Sequence, residues 1–321
     1  MHVTFAGSPD RVEARLVPEA GFELDTFRIT GLPRRPSVAL ARALLLAGSA
    51  PIACRRILRR RQPDVVLGAG GFVAGPMVFA ASRMRIPTAL TEADAHLGLA
   101  NRLAAPFARQ LFLAYPIATR YARKARVVGR PLPQFESVSQ NDAREIFELP
   151  QDVPVLGVFG ALAGATALNE FVVETWAANG PAILHQTGLG DYERVKRRVR
   201  RPDYRVIAET DRFHAALTAC DLILGRAGSS VWEIAAAGRP AILVPYPFAT
   251  GDHQARNAEH FQRAGGAIMV REQDLGRVPE LVRSLLGDPD RRDKMSRAML
   301  AAARPNAAEE IADGLIAMAA R

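Results

Sequence analysis

The chain has 321 residues, 49% hydrophobic and 23% charged, and reads as an ordinary globular protein long enough for two cores. Its two cysteines, Cys54 and Cys220, lie far apart without a CxxC or Cys/His cluster, which argues against a disulfide framework or structural zinc and fits a reducing cytoplasm. The formal charge of +9 attracts an anionic partner at long range, whether nucleic acid, acidic membrane or phosphorylated substrate, and does not choose among them.

From the N-terminus, HVTFAG reads as a short buried strand, PDRVEARLVPEAG as a helix and FELDTFRIT as a second strand. A long helix is expected from about Pro36 to Arg61. DVVLGAGG then gives a strand running into a glycine turn, followed by a helix through Met77 to Met84 and strands at PTALTEA, RQLFLAY and RVVGRP. The polar, proline-rich stretch from Pro131 to Pro154 marks a linker. Beyond it a second βα series begins: VPVLGVFGAL, LNEFVVETWAANG, AILHQTG, the basic helix DYERVKRRVRR, YRVIAE, DRFHAALTAC, DLILGRAG, SSVWEIAAAG, PAILVPYP, HQARNAEHFQRAG, AIMVRE and a helical tail. No signal peptide is read at MHVTFAGSPDR, and the longest apolar stretch, Val38 to Pro51, carries Arg42 and is too short for a membrane span. Strands alternating with helices of this length predict an α/β protein with two Rossmann-like domains, whose ligands sit beyond the carboxyl ends of parallel strands.

The densest constellation lies between Asp221 and Ala258. DLILGRAGSSVWEIAAAG places Gly225 and Gly228 in a strand-to-helix turn, with Ser229 and Ser230 opening the helix, an arrangement suited to a diphosphate. Glu233, one turn on, can accept from a ribose diol; taken alone it reads more readily as a solvated surface glutamate. The loop FATGDHQARNAEH gathers Asp252, His253, Gln254 and Asn257 beyond a strand end, where they can read sugar hydroxyls or form an ordinary polar loop with a helix cap at Asp252.

Together these residues resemble the MurG family of glycosyltransferases. RAGSSVWEIAAAGRPAILVPYP followed by DHQARNA is similar to that family's donor-site signature, and RQPDVVLGAGGFVAGP and LTEADAHLGLANRLAA are similar to segments of its N-terminal half. EARLVPEAG and RVVGRPLP also fit, so the resemblance spans essentially the whole chain. It implies the GT-B fold, with an acceptor-side domain at 1–132, to which the C-terminal helix 305–321 returns, and a UDP-sugar domain at 133–304. It implies inverting transfer of N-acetylglucosamine from UDP-N-acetylglucosamine to undecaprenyl-linked muramyl-pentapeptide, without metal or cofactor, at the cytoplasmic face of the inner membrane.

Carried over residue by residue, the resemblance gives UDP-sugar contacts at Gly160, Gly164, Asn169, Thr210, Arg226, Gly228, Ser229, Ser230, Glu233, His253 and Gln254. It gives acceptor contacts at Gly70, Gly71 and Gly75, and polar cleft positions at Glu92 and Asp94, the candidate general bases. Three departures are visible. Where the family shows GGSxGA, this chain has Gly160, Ala161, Leu162, Ala163 and Gly164, without the serine hydroxyl. Its HEQN appears as Thr91, Glu92, Ala93 and Asp94. Its first glycine-rich loop, with a histidine, has no counterpart, so HVTFAG is expected to be the second strand of a domain whose first strand and loop are missing, and transfer by the chain is expected to be weak.

A helix rimmed by Arg55, Arg56, Arg59, Arg60 and Arg61 beside Leu44 to Leu46 suits an anionic bilayer surface, or is a core helix ending in a solvated basic turn. The basic stretch lacks interleaved aromatics, against nucleic acid as a partner, and the six histidines show no metal-binding spacing. The alternatives are a UDP-N-acetylglucosamine 2-epimerase of the same fold, or a remnant that binds nucleotide-sugar or membrane without catalysis.

Overall fold

The computed structural model describes residues 2–31, 37–133, 137–160 and 165–320. The chain divides into two compact units, 1–128 with 308–321, and 129–307.

In unit 1 the elements are β1 (Thr4–Gly7), α1 (Glu13–Glu19), β2 (Glu23–Thr26), α2 (Val38–Arg61), β3 (Val66–Gly68), α3 (Gly71–Arg83), β4 (Thr88–Glu92), α4 (Leu99–Ala104), β5 (Gln110–Leu113) and β6 (Ala125–Val127). The described strands form two parallel sheets, β1-β2 and β3-β4-β5-β6. Helix α2 buries Ala50, Cys54 and Leu58, four residues apart and thus on one face, in a cluster with Met77, Ala80 and Ala81 of α3. Its other side exposes Val38, Leu45 and Ile52, seven residues apart. Among its described residues the helix therefore carries two apolar stripes, one packed into the core and one exposed.

Unit 2 contains α5 (Gln140–Ile146), β7 (Val155–Phe159), α6 (Thr166–Trp176), β8 (Ala182–Gln186), α7 (Tyr192–Arg198), β9 (Tyr204–Ile207), α8 (Phe213–Ala219), β10 (Leu222–Gly225), α9 (Val231–Ala236), β11 (Ala241–Leu243), α10 (His253–Arg263), β12 (Ala267–Met269), α11 (Val278–Leu286) and α12 (Pro289–Ala302). Its six-stranded parallel sheet runs β12-β11-β10-β7-β8-β9, the doubly wound order that reverses direction between β7 and β10. The four inner strands β7, β8, β10 and β11 are buried on both faces, which is why they read as unbroken apolar runs.

Two differences from the sequence reading have local causes. The stretch 131–154 is not wholly linker: Ser139 accepts from the Asp142 N–H and starts α5, whose buried Arg144 reaches the Ala219 and Gln151 carbonyls and the Asp221 carboxylate. The helix after β3 begins at Gly71, so Gly75 and Pro76 lie inside it. The final helix α13 (Ala307–Ala319) places Ile311, Leu315 and Met318 against Ala89 and Phe112 of the unit 1 sheet.

Candidate functional site

In a doubly wound sheet, the connections at the reversal point leave from opposite faces, opening a crevice above the two central strand ends. In unit 2 those ends are Phe159–Gly160 of β7 and Gly225 of β10, which lie side by side with Phe159 in register with Gly225. Both glycines are required by close approach. A Cβ on Gly160 would stand 2.7 Å from that of Ala165, and one on Gly225 would stand 2.9 Å from the Phe159 carbonyl oxygen. Gly164 lies outside the described residues.

The turn from Arg226 to Ser230 is held from behind by α10. Asn257, fully buried, donates through Nδ2 to the Ala227 carbonyl at 3.1 Å. Gln254 accepts the Tyr246 N–H at Oε1, 2.9 Å, which directs its Nε2 toward Gly228, where a Cβ would be 3.8 Å away. The Gln254 amide is therefore oriented, with its donor end toward the turn. Ser229 is exposed and Ser230 half-buried; Ser230 is the residue before the first turn of α9 and makes no side-chain cap. Glu233 is half-buried on α9, and burial raises its carboxyl above the ordinary carboxylate range against the opposing pull of Arg130. Thr210, half-buried in the turn after β9, accepts the Arg212 N–H at 3.0 Å.

Gly228, Ser229, Ser230, Glu233 and Gln254 thus gather around one turn, with Gly160 across the crevice and His253 beginning α10 beside Gln254. Asn169 and Arg226 do not present free groups there. Asn169 has no exposed surface: Nδ2 donates to the Thr187 carbonyl and to Asp191, and Oδ1 faces His185 Nε2 at 3.0 Å. Arg226 is 5% exposed, ion-paired with Glu272 at 2.5 Å and stacked beneath Tyr246. Both shape the walls rather than the contact surface. Asp252, read as a possible cap, makes no side-chain cap; its φ is +53° and its carboxylate pairs with Arg271 at 3.1 Å.

The buried group beneath this rim was not singled out from the sequence. Because Asn169 spends its amide hydrogens on Thr187 and Asp191, its Oδ1 must accept, so His185 carries its proton on Nε2 and accepts the Tyr204 O–H at Nδ1, 2.9 Å. Burial pushes the His185 imidazole down to about 3. The run HQT at the end of a strand is the only sign of this network in the sequence.

In unit 1, Gly70 and Gly71 take φ of +89° and +69° between β3 and α3, a conformation that favours glycine, while Gly75 faces open space from within α3. Glu92 is 8% exposed and its carboxylate is engaged three times, by the Asp94 N–H at 3.3 Å, the Gly98 N–H at 2.9 Å and Asn101 Nδ2 at 2.9 Å. It organises the loop that carries Asp94. Among the described residues no group of three or more His, Cys, Asp or Glu could hold a metal ion, and no helix is long and apolar enough to cross a membrane.

The sequence matches the glycosyltransferase family 28 N-terminal domain over residues 1–113 and the C-terminal domain of the same family over residues 155–311. It is 39% identical to the UDP-N-acetylglucosamine–N-acetylmuramyl-(pentapeptide) pyrophosphoryl-undecaprenol N-acetylglucosamine transferase of Anaeromyxobacter dehalogenans, over 97% of this chain and 83% of that protein. It is 34% identical to the protein of the same name from Halothermothrix orenii, over 94% of this chain and 87% of the relative. Among solved structures, MurG of Acinetobacter baumannii superposes with a TM-score of 0.78 at 24% identity, covering 98% of this chain and 90% of the other. A UDP-GlcNAc 2-epimerase from Neisseria meningitidis gives 0.64 at 14% identity, covering 98% and 91%, which is likeness of fold alone.

Proposed function

The chain belongs to the MurG branch of glycosyltransferase family 28, and from that premise we propose how its own residues serve the reaction. It is a hexosyltransferase of GT-B fold that moves N-acetylglucosamine from the UDP-sugar to lipid-linked muramyl-pentapeptide. The muramyl hydroxyl attacks the anomeric carbon, the bond to the diphosphate breaks, and the hydroxyl proton must be accepted.

The observation that carries the site assignment is the oriented turn Gly228–Ser230, backed by Asn257 and Gln254 at the reversal point of the sheet. Its backbone N–H groups and the Ser229 and Ser230 hydroxyls face the place where a leaving diphosphate gains charge, the role that preorganised donors perform best. Glu233 accepts from the ribose diol. The donor end of Gln254, with His253, reads sugar hydroxyls, and the Thr210 turn borders the base. On the acceptor side, the left-handed turn Gly70–Gly71 and the exposed side of Gly75 lie against the lipid diphosphate. Glu92 positions the loop, and Asp94 on that loop is the carboxylate that takes the proton.

The membrane partner is assigned to α2, whose unused stripe Val38, Leu45 and Ile52 adjoins exposed Arg55, Arg56 and Arg59. Arg60 and Arg61 are already engaged by Asp25, and Arg61 also by Glu23 at 2.6 Å, so they contribute less. This face sets the enzyme on the anionic cytoplasmic leaflet, where its lipid acceptor lies.

The test is titration of the full chain with UDP-N-acetylglucosamine, together with radiolabelled sugar transfer to the lipid acceptor. Ser229→Ala combined with Ser230→Ala is expected to lower kcat more than it weakens substrate binding, because the contacts strengthen as the diphosphate departs. Unchanged kcat in the double variant removes the turn from the leaving-group role.

A further inference from the structure

In unit 2 the chain steps outward from β7 through β8 to β9, returns, and steps outward again from β10 through β11 to β12, with β7 and β10 paired at the reversal. Unit 1 repeats this pattern with an interruption. Its chain steps from β1 to β2, returns through the long helix α2, and steps from β3 through β4 and β5 to β6. Among the described residues β1 pairs only with β2 and β3 only with β4, and β1 and β3 do not lie side by side. Both nevertheless sit on one core, since Ala6 of β1 and Val66 of β3 pack on the cluster formed by α2 and α3. The two sheets thus flank a slot at the place that β7 holds in unit 2.

The slot is open along both edges and on one face. Along the edges, β1 and β3 present backbone groups that no ladder uses. Across the face, side chains alternate, so Phe5 and Leu67 point away from α2 and α3 while Ala6 and Val66 point toward them. Leu67 is in register with Ala89, which α13 covers, and Phe5 with Leu24, beside Glu13 of α1. Between those two helices, Phe5 is 41% and Leu67 38% exposed. The strands that flank β7 in unit 2, β8 and β10, are buried throughout.

These features dictate what fits. Every described strand pair of unit 1 is parallel, so a strand that joins β1 to β3 in the same sheet is parallel to both. A parallel strand inside a sheet is covered on both faces, is apolar along its length, and leads into a helix that packs back on the sheet. In unit 2, β7 and α6 meet this description: VLGVF is buried throughout, and α6 buries Leu168, Val172 and Trp176 in the same core.

We propose that unit 1 binds a βα unit in this slot, an apolar strand pairing with β1 and β3 followed by an amphipathic helix that covers Phe5 and Leu67. The reversal of the sheet then falls between the added strand and β3, which runs into the left-handed turn Gly70–Gly71. The end of the added strand stands beside that turn and forms the other wall of its crevice. This second consequence rests on the acceptor reading of Gly70–Gly71; the slot itself rests on the edges and the open face.

The probe is a peptide with the sequence of residues 154–177, the chain's own strand and helix of this kind. It is added to the full chain, and also fused ahead of residue 1 by a glycine-serine linker, which raises its effective concentration to the millimolar range. Hydrogen exchange at the slot-facing amides of Thr4–Gly7 and Val66–Gly68 should slow about tenfold or more in the fused chain, and dose-dependently with free peptide. Leu67→Lys should leave the melting temperature of the unfused chain unchanged, because that side chain is open to solvent, and should abolish the protection, because the added helix would bury the charge. Transfer of radiolabelled sugar to the lipid acceptor should rise with the protection. Unchanged exchange in the fused chain, or equal protection in the Leu67→Lys variant, would overturn the slot. Protection without any gain in transfer would overturn its link to the acceptor turn.

Discussion

Asn257 Nδ2 donates to the Ala227 carbonyl at 3.1 Å from a side chain with no exposed surface. The bond ties the first half of α10 to the turn between β10 and α9, so that the residues proposed for sugar and for diphosphate are held by one contact. Asn257→Ala leaves the carbonyl without its donor and should lower stability by about 1–3 kcal/mol. It should also raise the Kd for UDP by more than Arg256→Ala, an exposed neighbour on the same helix. Urea unfolding and calorimetry check the two effects, and equal Kd values in the two variants would separate the turn from α10.

Glu233 carries opposing demands. Burial raises its carboxyl above the usual range, so the folded chain takes up a proton there at a pH where the unfolded chain does not. Its ionised form is therefore a destabilising element of the fold, and stability from this group increases as pH falls. Binding of a ribose diol uses the ionised form. Affinity for UDP should accordingly decline on acidification earlier than an ordinary carboxylate would allow, and Glu233→Gln should raise the melting temperature while weakening UDP. A variant that both melts lower and binds normally contradicts this account.

His185 makes the opposite prediction for stability. Its folded value of about 3 lies below the unfolded value near 6.5, so between them the unfolded chain binds a proton that the folded chain cannot. Stability is lost as pH falls through that window, by about 2 kcal/mol at pH 5 from this group alone. His185→Gln, which can still donate toward Asn169 and accept from Tyr204, should flatten the dependence between pH 7 and 5 in denaturant titrations. An unchanged slope would place the acid sensitivity elsewhere.

Membrane docking through α2 should depend on both halves of its exposed stripe. Ile52→Glu, or charge reversal at Arg55 and Arg59, should reduce co-sedimentation with anionic vesicles, and added salt should do the same, at about 1 kcal/mol for each basic residue near the surface. Arg60→Glu is a poor probe, because Arg60 is paired with Asp25 and its reversal would disturb β2. Binding that is indifferent to salt and to these changes would show that another surface makes the contact.

The alternation of strand and helix in unit 2 was legible because its inner strands are buried on both faces, and the two central ones run into glycine, as at DLILGRAG. So was the turn Gly228–Ser230 with Glu233, since a strand, a glycine turn and a helix follow one another without interruption. What could not be read was which polar side chains face the crevice. Asn169 and Arg226 lie within motif segments, yet their hydrogen bonds are spent on Thr187, Asp191 and Glu272, partners 18 to 46 residues away that only the fold brings close. Glu92 reads as a base by type, and its commitment to Gly98 and Asn101 appears only once the loop closes on itself. Helix α5 was hidden because its buried member is an arginine, whose anchor, Asp221, lies 77 residues on.

Gly129, at φ +89°, packs against the side chain of Arg304, with the Arg304 Cβ in the space a Cβ of its own would need. The first and last segments of unit 2 are therefore neighbours, and the unit is a single uninterrupted stretch of chain. In topological terms it is an insertion: unit 1 is the host, opened once between Val128 and Ala308. Residues 129–307 can consequently be excised as one gene segment whose ends already meet. The host has no such segment and would need 308–321 joined back to 128 by a short linker. A bulky residue at position 129 would pry apart the junction at which the insertion enters and leaves, and would act on both crossings at once.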